Sequence, residues 1–589
     1  MVLSSCAKEE VVEEPGEQEE EEEEEEEEEV EEPAVGVPQR GGTLTCYYNS
    51  EGDPAVADPM KGMWPAQSYA SPVVGNLIVG GIEEYGPRGT NEYAFQSLDE
   101  VPVKYNVGAL AESWEVTPTE MVFHIRPGVL WAAYGKEHVM EPREVTAEDV
   151  VFSLNRFVDI SPARGVPGWL RTENGGWVDA IYAEGDTVVI KTSRFSAVWK
   201  DELISGWCTV IYPPEVVEAG VDDYNNFISA GPFMVKEYVS GSAMTFERNP
   251  NYWDTTTING KEYEIPFIDE LVFPIIPDES TRVAALRTGE IDIHWAVLSR
   301  YKDSLARTSP ELKVYSRLLR PPVIALNMRR PFLSEREVRR ALSIAIDREA
   351  INEAVLGPGG VMYVHPVAPS LVPDVATPFE ELPASTQELY VYDPVKARQI
   401  LVDAGYPEGF SLKMLLSSTN LTGIDIASMA KENWEAIGVT LTIETMEPTA
   451  FTRLLWGAGT AGSKEGLDAD YDCTIQSDWG PDAPFDAMYS GFCPSGRNFA
   501  QFYDKDFIAR YAEAKQKVDE VEQFPILRDL NLIALDSAAY IGVGAPVALR
   551  YWWPWVKNYY GEFDAGCFDT GPIFARIWID QDLKAEMGY

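Results

Sequence analysis

Apolar positions recur along this chain at two spacings, and the alternation between them outlines a fold. Every-other-residue patterns bounded by turn residues predict strands at TLTCYY (43–48), MVFHIR (121–126), TVVIKT (187–192), AMTFER (243–248) and ELVFPII (270–276). Between them, spacings of three and four predict helices. In VTAEDVVFSLNRF (145–157), Val150, Val151, Leu154 and Phe157 define one buried face, and Thr146 with Asp149 makes a start signal close to a capping box. DESTRVAALRTGEIDIHW (278–295) reads as a capped helix stopped at Gly289 that runs on into a strand. In the second half, SEREVRRALSIAIDREAINEAVL (334–356) reads as one helix with Val338, Leu342, Ala345, Ile346 and Ile351 on one side. Ser334 and Glu337 open it as a capping box, and Gly357-Pro358 close it. A helix over 393–406, a strand over 411–418, a helix over 426–439 and an alternating strand over 439–446 follow. No period of 20 to 50 residues repeats, which argues against a solenoid or propeller. Mixed elements spread over two halves predict an α/β protein of two sheet-centred lobes with a cleft between them.

Length supports that division, since 589 residues exceed what one hydrophobic core can organise. Charge adds a separate feature. Lys and Arg number 47 against 96 Asp and Glu, a net −49. Residues 1–40 hold eighteen Glu against Lys8 and Arg40, a share of −16, which leaves −33 on the body. Such a field repels nucleic acid and anionic lipid, and no basic stripe with interleaved aromatics offsets it, so nucleic acid is not an expected partner. Like charges from Glu19 to Glu29 repel one another and predict an extended, solvated spacer, ended by Pro33, Pro38 and Gly41-Gly42. Ahead of it, Leu3, Ser4, Ser5 and Cys6 match the end of a bacterial lipoprotein signal. Only Met1 to Leu3 stand where an apolar stretch of about 7–15 residues belongs. With an acidic leash directly after it, Cys6 is the expected site of lipidation. No run of about 18 apolar residues predicts a membrane span.

The chemistry is mostly negative. Cysteines 6, 46, 208, 473, 493 and 567 form no CxxC and no Cys/His pairing at zinc-ligand spacing. A Cys473–Cys493 disulfide and buried free thiols are both open. None of His124, His138, His294 and His365 lies in HExxH, and His124 and His294 fall within strand patterns, where a packed or surface histidine is expected. There is no GxSxG and no GxxxxGK[ST]. GAGTAG (457–462) follows the helix-like PTAFTRLLW, which predicts a flexible loop. Asp468, Asp470 and Asp472 alternate without the Gly and terminal Glu of a calcium loop and predict a solvated loop. No catalytic role, metal or cofactor is therefore expected. What remains is DYDCTIQSDWGPDAPFDAMY (470–489), a strand running into a loop. There Trp479 can stack on a ligand and Asp482 can accept an ammonium or hydroxyl, while packing and turn formation explain the two residues equally well.

Five blocks, in order, carry a resemblance over most of the chain. They are LAESWEVTPTEMVFHIRPGVLWAAYGKEHVMEPREVTAEDVVFSLNRF (110–157), GPFMVKEYVSGSAMTFERNPNYWD (231–254), IDELVFPIIPDESTRVAALRTGEIDI (268–293), NMRRPFLSEREVRRALSIAIDREAI (327–351) and DPVKARQILVDAGYPEGFSLKM (393–414). From about Gly41 onward the chain resembles the family 5 extracellular solute-binding proteins, the oligopeptide and dipeptide receptors of ABC importers. The resemblance implies a type II periplasmic-binding fold. One lobe would be built from 41–70, 205–318 and 548–589, an inserted lobe from 71–204 and an opposing lobe from 319–547, with 1–40 as signal remnant and linker. Crossover strands near Arg317 to Leu326 and Gly544 to Tyr551 would form the hinge. It implies a monomeric receptor, extracytoplasmic and lipid-anchored, that closes on an oligopeptide and hands it to a membrane permease; an oligosaccharide or other solute is the alternative, and a secreted hydrolase a remote one. Peptide-binding members place an Asp three residues after a Trp to pair with the peptide α-ammonium, the spacing of Trp479 and Asp482. They continue with Asp-Pro, whereas this chain has Asp482-Ala483-Pro484-Phe485. If Asp482 is the aspartate of that pair, Trp479 stands at the ammonium position. SGRNFAQFYDKDFIARYAEA (495–514) resembles a further family block, with Asn498 in place as a ligand-site residue and Ile508 where an acidic residue is common.

Overall fold

The computed structural model describes residues 36–48, 57–96, 101–160, 167–170, 180–204, 209–357, 360–455, 470–477, 480–566 and 568–589. The lipoprotein-like Cys6, the glutamate run, GAGTAG, Asp468, Trp479, Cys208 and Cys567 lie outside these residues.

Three sheets organise the chain. The largest has seven strands in the order Lys313–Leu318, Val547–Trp552, Ile293–Leu298, Thr43–Tyr47, Glu270–Pro274, Ala243–Arg248 and Phe233–Val239. Thr43–Tyr47 runs parallel to both of its neighbours, Glu270–Pro274 and Ile293–Leu298, and the outer pairings are antiparallel. A five-stranded sheet follows the order Val439–Met446, Phe410–Ser417, Cys473–Ser477, Pro322–Leu326 and Tyr540–Gly542. Its first three strands are parallel, and Pro322–Leu326 is antiparallel to both neighbours. The third sheet, all antiparallel, joins Ala111–Val116, Glu120–Ile125, Thr187–Lys191 and Ile181–Glu184. Fully parallel or mixed sheets need cover on both faces, and the helices supply it as an α/β arrangement.

The chain passes between the two large sheets twice. Lys313–Leu318 leads through 319–321 into Pro322–Leu326, and Tyr540–Gly542 leads through 543–546 into Val547–Trp552. The two passages are joined, since Leu319 N donates to Pro546 O at 2.9 Å.

Local signals explain where most helices start. Thr146 N donates to Asp149 Oδ2 at 2.9 Å and Asp149 N to Thr146 Oγ1 at 3.3 Å, a reciprocal cap with Asp in place of the usual Glu or Gln. It opens helix Ala147–Ile160, whose Val150, Leu154 and Phe157 are buried, with Val151 half-buried. Arg143 grips the same carboxylate through both terminal guanidinium nitrogens, at 2.7 and 2.8 Å. Burial works to raise the Asp149 pKa, but these bonds from Arg143 and Thr146 outweigh it and hold the carboxyl below the usual range. A depressed folded pKa contributes stability that is present above the unfolded value of about 3.9 and is lost as pH falls through the folded value. Asp149→Asn is thus expected to remove about 1–2 kcal/mol at neutral pH. Urea titrations at several pH values should also show a shallower loss of stability below about pH 4 than in the wild type.

One predicted helix divides. Residues 334–356 form Arg336–Ile344, then Arg348–Ile351 continuing into a wider turn over Asn352–Leu356. Asp347 causes the break, because its side chain accepts from Ala350 N at 3.0 Å and starts a second helix. The predicted Ser334–Glu337 box does not form, as Ser334 Oγ donates to Pro331 O instead, and Glu335 occupies the cap without a side-chain capping bond. The helix expected over 426–439 starts earlier, at Leu421, where Asn420 accepts from Gly423 N at 2.9 Å. Cys473 and Cys493 are both free and buried, so they form no disulfide.

Candidate functional site

In a parallel sheet, ligands gather at the carboxyl ends of the strands, where loops and helix starts converge. Strand register shows where those ends lie. In the five-stranded sheet Ser477, the end of the middle strand, is paired with Pro322, the first residue after the crossover. In the seven-stranded sheet Leu298, the end of a parallel strand, pairs with Ala548, beside the Leu318–Val547 pair at the other crossover. The carboxyl edges of both parallel sets thus lie toward the crossovers.

Residues 480–483 follow the middle strand at this edge. Residues 478 and 479, Trp479 among them, lie outside the described residues, and 480–483 are held by hydrogen bonds. Gly480 adopts φ +98°, a conformation that glycine takes without steric cost. Ala483 N donates to Gly480 O at 2.9 Å to close a turn around Pro481 and Asp482. The Pro481 carbonyl accepts from Ala368 N at 2.8 Å, which ties the loop to a neighbouring segment. Asp482 is half-buried on this turn, two residues before helix Pro484–Phe492, which buries Phe485, Met488 and Phe492. A carboxylate on a fixed turn at the carboxyl edge of the sheet can meet a cationic or hydroxyl group of a ligand without a large ordering cost.

Asn498 is buried, with 6% exposure. Its Nδ2 donates to Cys493 O at 3.0 Å and Phe502 O at 2.8 Å, and its Oδ1 accepts from Phe502 N at 3.0 Å. The amide therefore spends both donors on pinning the loop that follows helix Pro484–Phe492. Among the alternating aspartates, Asp470 and Asp472 pair with Arg330 at 2.9 and 3.0 Å, and Asp472 Oδ2 accepts from Lys413 N at 2.7 Å. They tie the edge of the five-stranded sheet rather than form a merely solvated loop. His294 is buried, and desolvation, aided by Arg282, lowers its pKa to about 3, so it is neutral near pH 7.

Sequence reasoning did not single out the residues at the opposing edge. Tyr48 follows the end of strand Thr43–Tyr47, stacks on Phe273 and meets Trp295 edge-on. Arg317, in the strand entering the crossover, lies with its guanidinium 3.7 Å from the centre of the Phe563 ring and donates to Gln96 O at 3.1 Å. Buried Asp564 beside them has its carboxyl pushed well above the usual range by burial and by the nearby Asp569. These residues come from chain segments hundreds of positions apart, and no local pattern marks them. A separate cavity of about 490 Å³ is lined by Asn76, Arg126, Tyr252, Trp253, Asp569 and Arg576 among others, and by no residue of 319–547. It belongs to the seven-stranded and inserted regions and is distinct from the cleft. Among the described residues no three His, Cys, Asp or Glu side chains converge as a metal site would require.

Known proteins with similar sequences share this organisation. The family model for bacterial extracellular solute-binding proteins, family 5 (middle), matches residues 106–500. Heme-binding protein A of Haemophilus influenzae is 26% identical over 475 residues, covering 77% of this chain and 81% of its own length. The dipeptide-binding protein of Escherichia coli is 26% identical over 499 residues, 77% of this chain and 86% of its own. The periplasmic binding protein DppA of Helicobacter pylori, solved in complex with the peptide STSA, superposes with a TM-score of 0.67 at 20% identity, covering 92% of this chain and 99% of that one. The fold is thus the α/β type II binding-protein fold. The match spans the inserted sheet, the first of the two crossover passages and residues 478–483, and on it the chain belongs to the family 5 extracellular solute-binding proteins.

Proposed function

We propose that this protein captures a peptide in the cleft between its two large sheets and delivers it, as a monomer, to the permease of an ABC importer. The observation that supports this most directly is the fixed turn carrying Asp482 at the carboxyl edge of the five-stranded sheet, at the Trp479–Asp482 spacing used for a peptide α-ammonium. In this reading Asp482 pairs with the ammonium, Trp479 covers the ligand, and Asn498 acts through the loop it pins. Capture consists of a shift from an open to a closed arrangement of lobes built from 41–70, 205–318 and 548–589, with the insert 71–204, against 319–547. Cys6 carries the lipid, and the glutamate run gives the tethered receptor reach.

The relatives named for peptides and for heme set the ligand test. Purified protein is heated in the presence of a tripeptide and tetrapeptide pool, an oligosaccharide pool, or hemin, with native mass spectrometry of the pools to identify what is retained. Peptides are expected to raise the melting temperature by several degrees and to be retained. Stabilisation by sugars or hemin with none by peptides would overturn the peptide assignment.

A further inference from the structure

The crossovers are not the sole connection between the two large lobes. Residues 195–204, at the end of the inserted region, run across to helix Lys505–Gln516 on the five-stranded side. Ala197 N donates to Lys515 O at 2.7 Å. Carbonyls in the last turn of a helix lack an intrahelical donor, so this bond caps the helix from the inserted region. Ala197 and Val198 also rest on the apolar cluster that contains Phe485, Phe492, Phe507 and Tyr511. Lys515 Nζ then reaches Glu202 Oε1 at 2.8 Å, both side chains being about a quarter exposed, at 26% and 23%.

Glu202 is held for this contact by its own region. Its second oxygen accepts from Trp169 Nε1, and from Ser196 Oγ at 3.4 Å, which leaves the first oxygen turned toward Lys515. The carboxylate also lies within electrostatic reach of Tyr489 and Tyr511. Tyr489 belongs to helix Pro484–Phe492, which begins two residues after Asp482. The strap therefore bears on the helix that carries the ligand loop.

We infer that Glu202 and Lys515 are positioning residues for solute retention, a pair that forms across the cleft on closure and slows release without touching the ligand. The inference rests on the solute-capture reading. A contact made only in the closed arrangement raises the closed-to-open ratio, and a ligand leaves through the open one. Weakening the pair should speed dissociation and leave association no slower. Because both side chains are partly exposed, the expected effect is modest, about three- to fivefold.

The test uses Glu202→Gln, which keeps an oxygen for Trp169, Lys515→Met, which keeps the aliphatic stem, and the double variant. Stopped-flow tryptophan fluorescence with the tetrapeptide Ser-Thr-Ser-Ala gives the rates. Each single variant is expected to dissociate about three- to fivefold faster, and the double variant no faster than the worse single. Wild-type dissociation should quicken in 0.5 M NaCl, and that of the variants should not. Ligand-free small-angle scattering provides an independent reading, in which each variant shows a larger radius of gyration than the wild type. Unchanged rates and radii in both singles, or effects that multiply in the double, would overturn the inference. If the wild type binds no peptide, the peptide assignment fails, and the ligand-free radii still decide the role of the strap.

Discussion

Arg88→Met is expected to lower the stability of this protein by about 3–5 kcal/mol, the usual consequence of leaving a buried charge without its partner. Arg88 and Glu562 form an ion pair whose side chains are 3% and 0% exposed. Glu562 also accepts from Tyr560 N at 2.9 Å, and the Arg88 guanidinium donates to Asn558 O and lies 5.2 Å from the Tyr560 ring centre. Around this pair the start of the inserted region is fastened to the C-terminal segment, by Phe563 N to Phe95 O at 2.8 Å and Gln96 Nε2 to Gly561 O at 2.7 Å. Methionine fills much of the space but leaves the enclosed Glu562 carboxylate without its partner. A lower urea midpoint should reveal the loss. Arg88→Met with Glu562→Gln should recover part of it, because the uncompensated charge is then gone. An unchanged midpoint in the single variant would show that the pair contributes nothing net.

Asp482→Ala is the second large effect. If its carboxylate takes the peptide ammonium, affinity should fall by about 2 kcal/mol or more, roughly thirtyfold or beyond. Calorimetric titration of free and N-acetylated peptide separates this from general damage to the loop. The wild type should prefer the free amine strongly, and Asp482→Ala should bind both forms about equally. A variant that keeps the preference would move the ammonium site to another residue and leave Asp482 as a turn residue.

Much of the fold was legible because strand alternation and helix caps are local. AMTFER and VTLTIETM became strands Ala243–Arg248 and Val439–Met446, and Asp278, Asp393 and Thr146 each start the helix their positions suggested. The helix over 334–356 was misread because apolar spacing continues through the break. Val338, Leu342, Ala345, Ile346 and Ile351 are all buried, so periodicity carried no sign of it. The information lay in Asp347, whose carboxylate competes for the backbone. The candidate site divides in the same way. The loop with Asp482 could be picked out as a turn-rich stretch after a strand, whereas Asn498 was picked out as a ligand-site residue without sight of its bonds to the Cys493 and Phe502 carbonyls, which form only once the loop is folded. Glu202 and Lys515 stand 313 positions apart, and only tertiary structure brings them together.

The two crossovers also set how this protein can be taken apart. Pro322–Leu326 and Tyr540–Gly542 pair as neighbours, with Val323 opposite Gly542 and Ala325 opposite Tyr540. Just outside them, Leu318 is paired with Val547. The segment from 322 to 542 therefore begins and ends at one place, as an exchangeable cassette with two adjoining seams. A related receptor's equivalent segment could be grafted there by joining the chain at only two points, and new ligand loops would arrive with their supporting sheet intact.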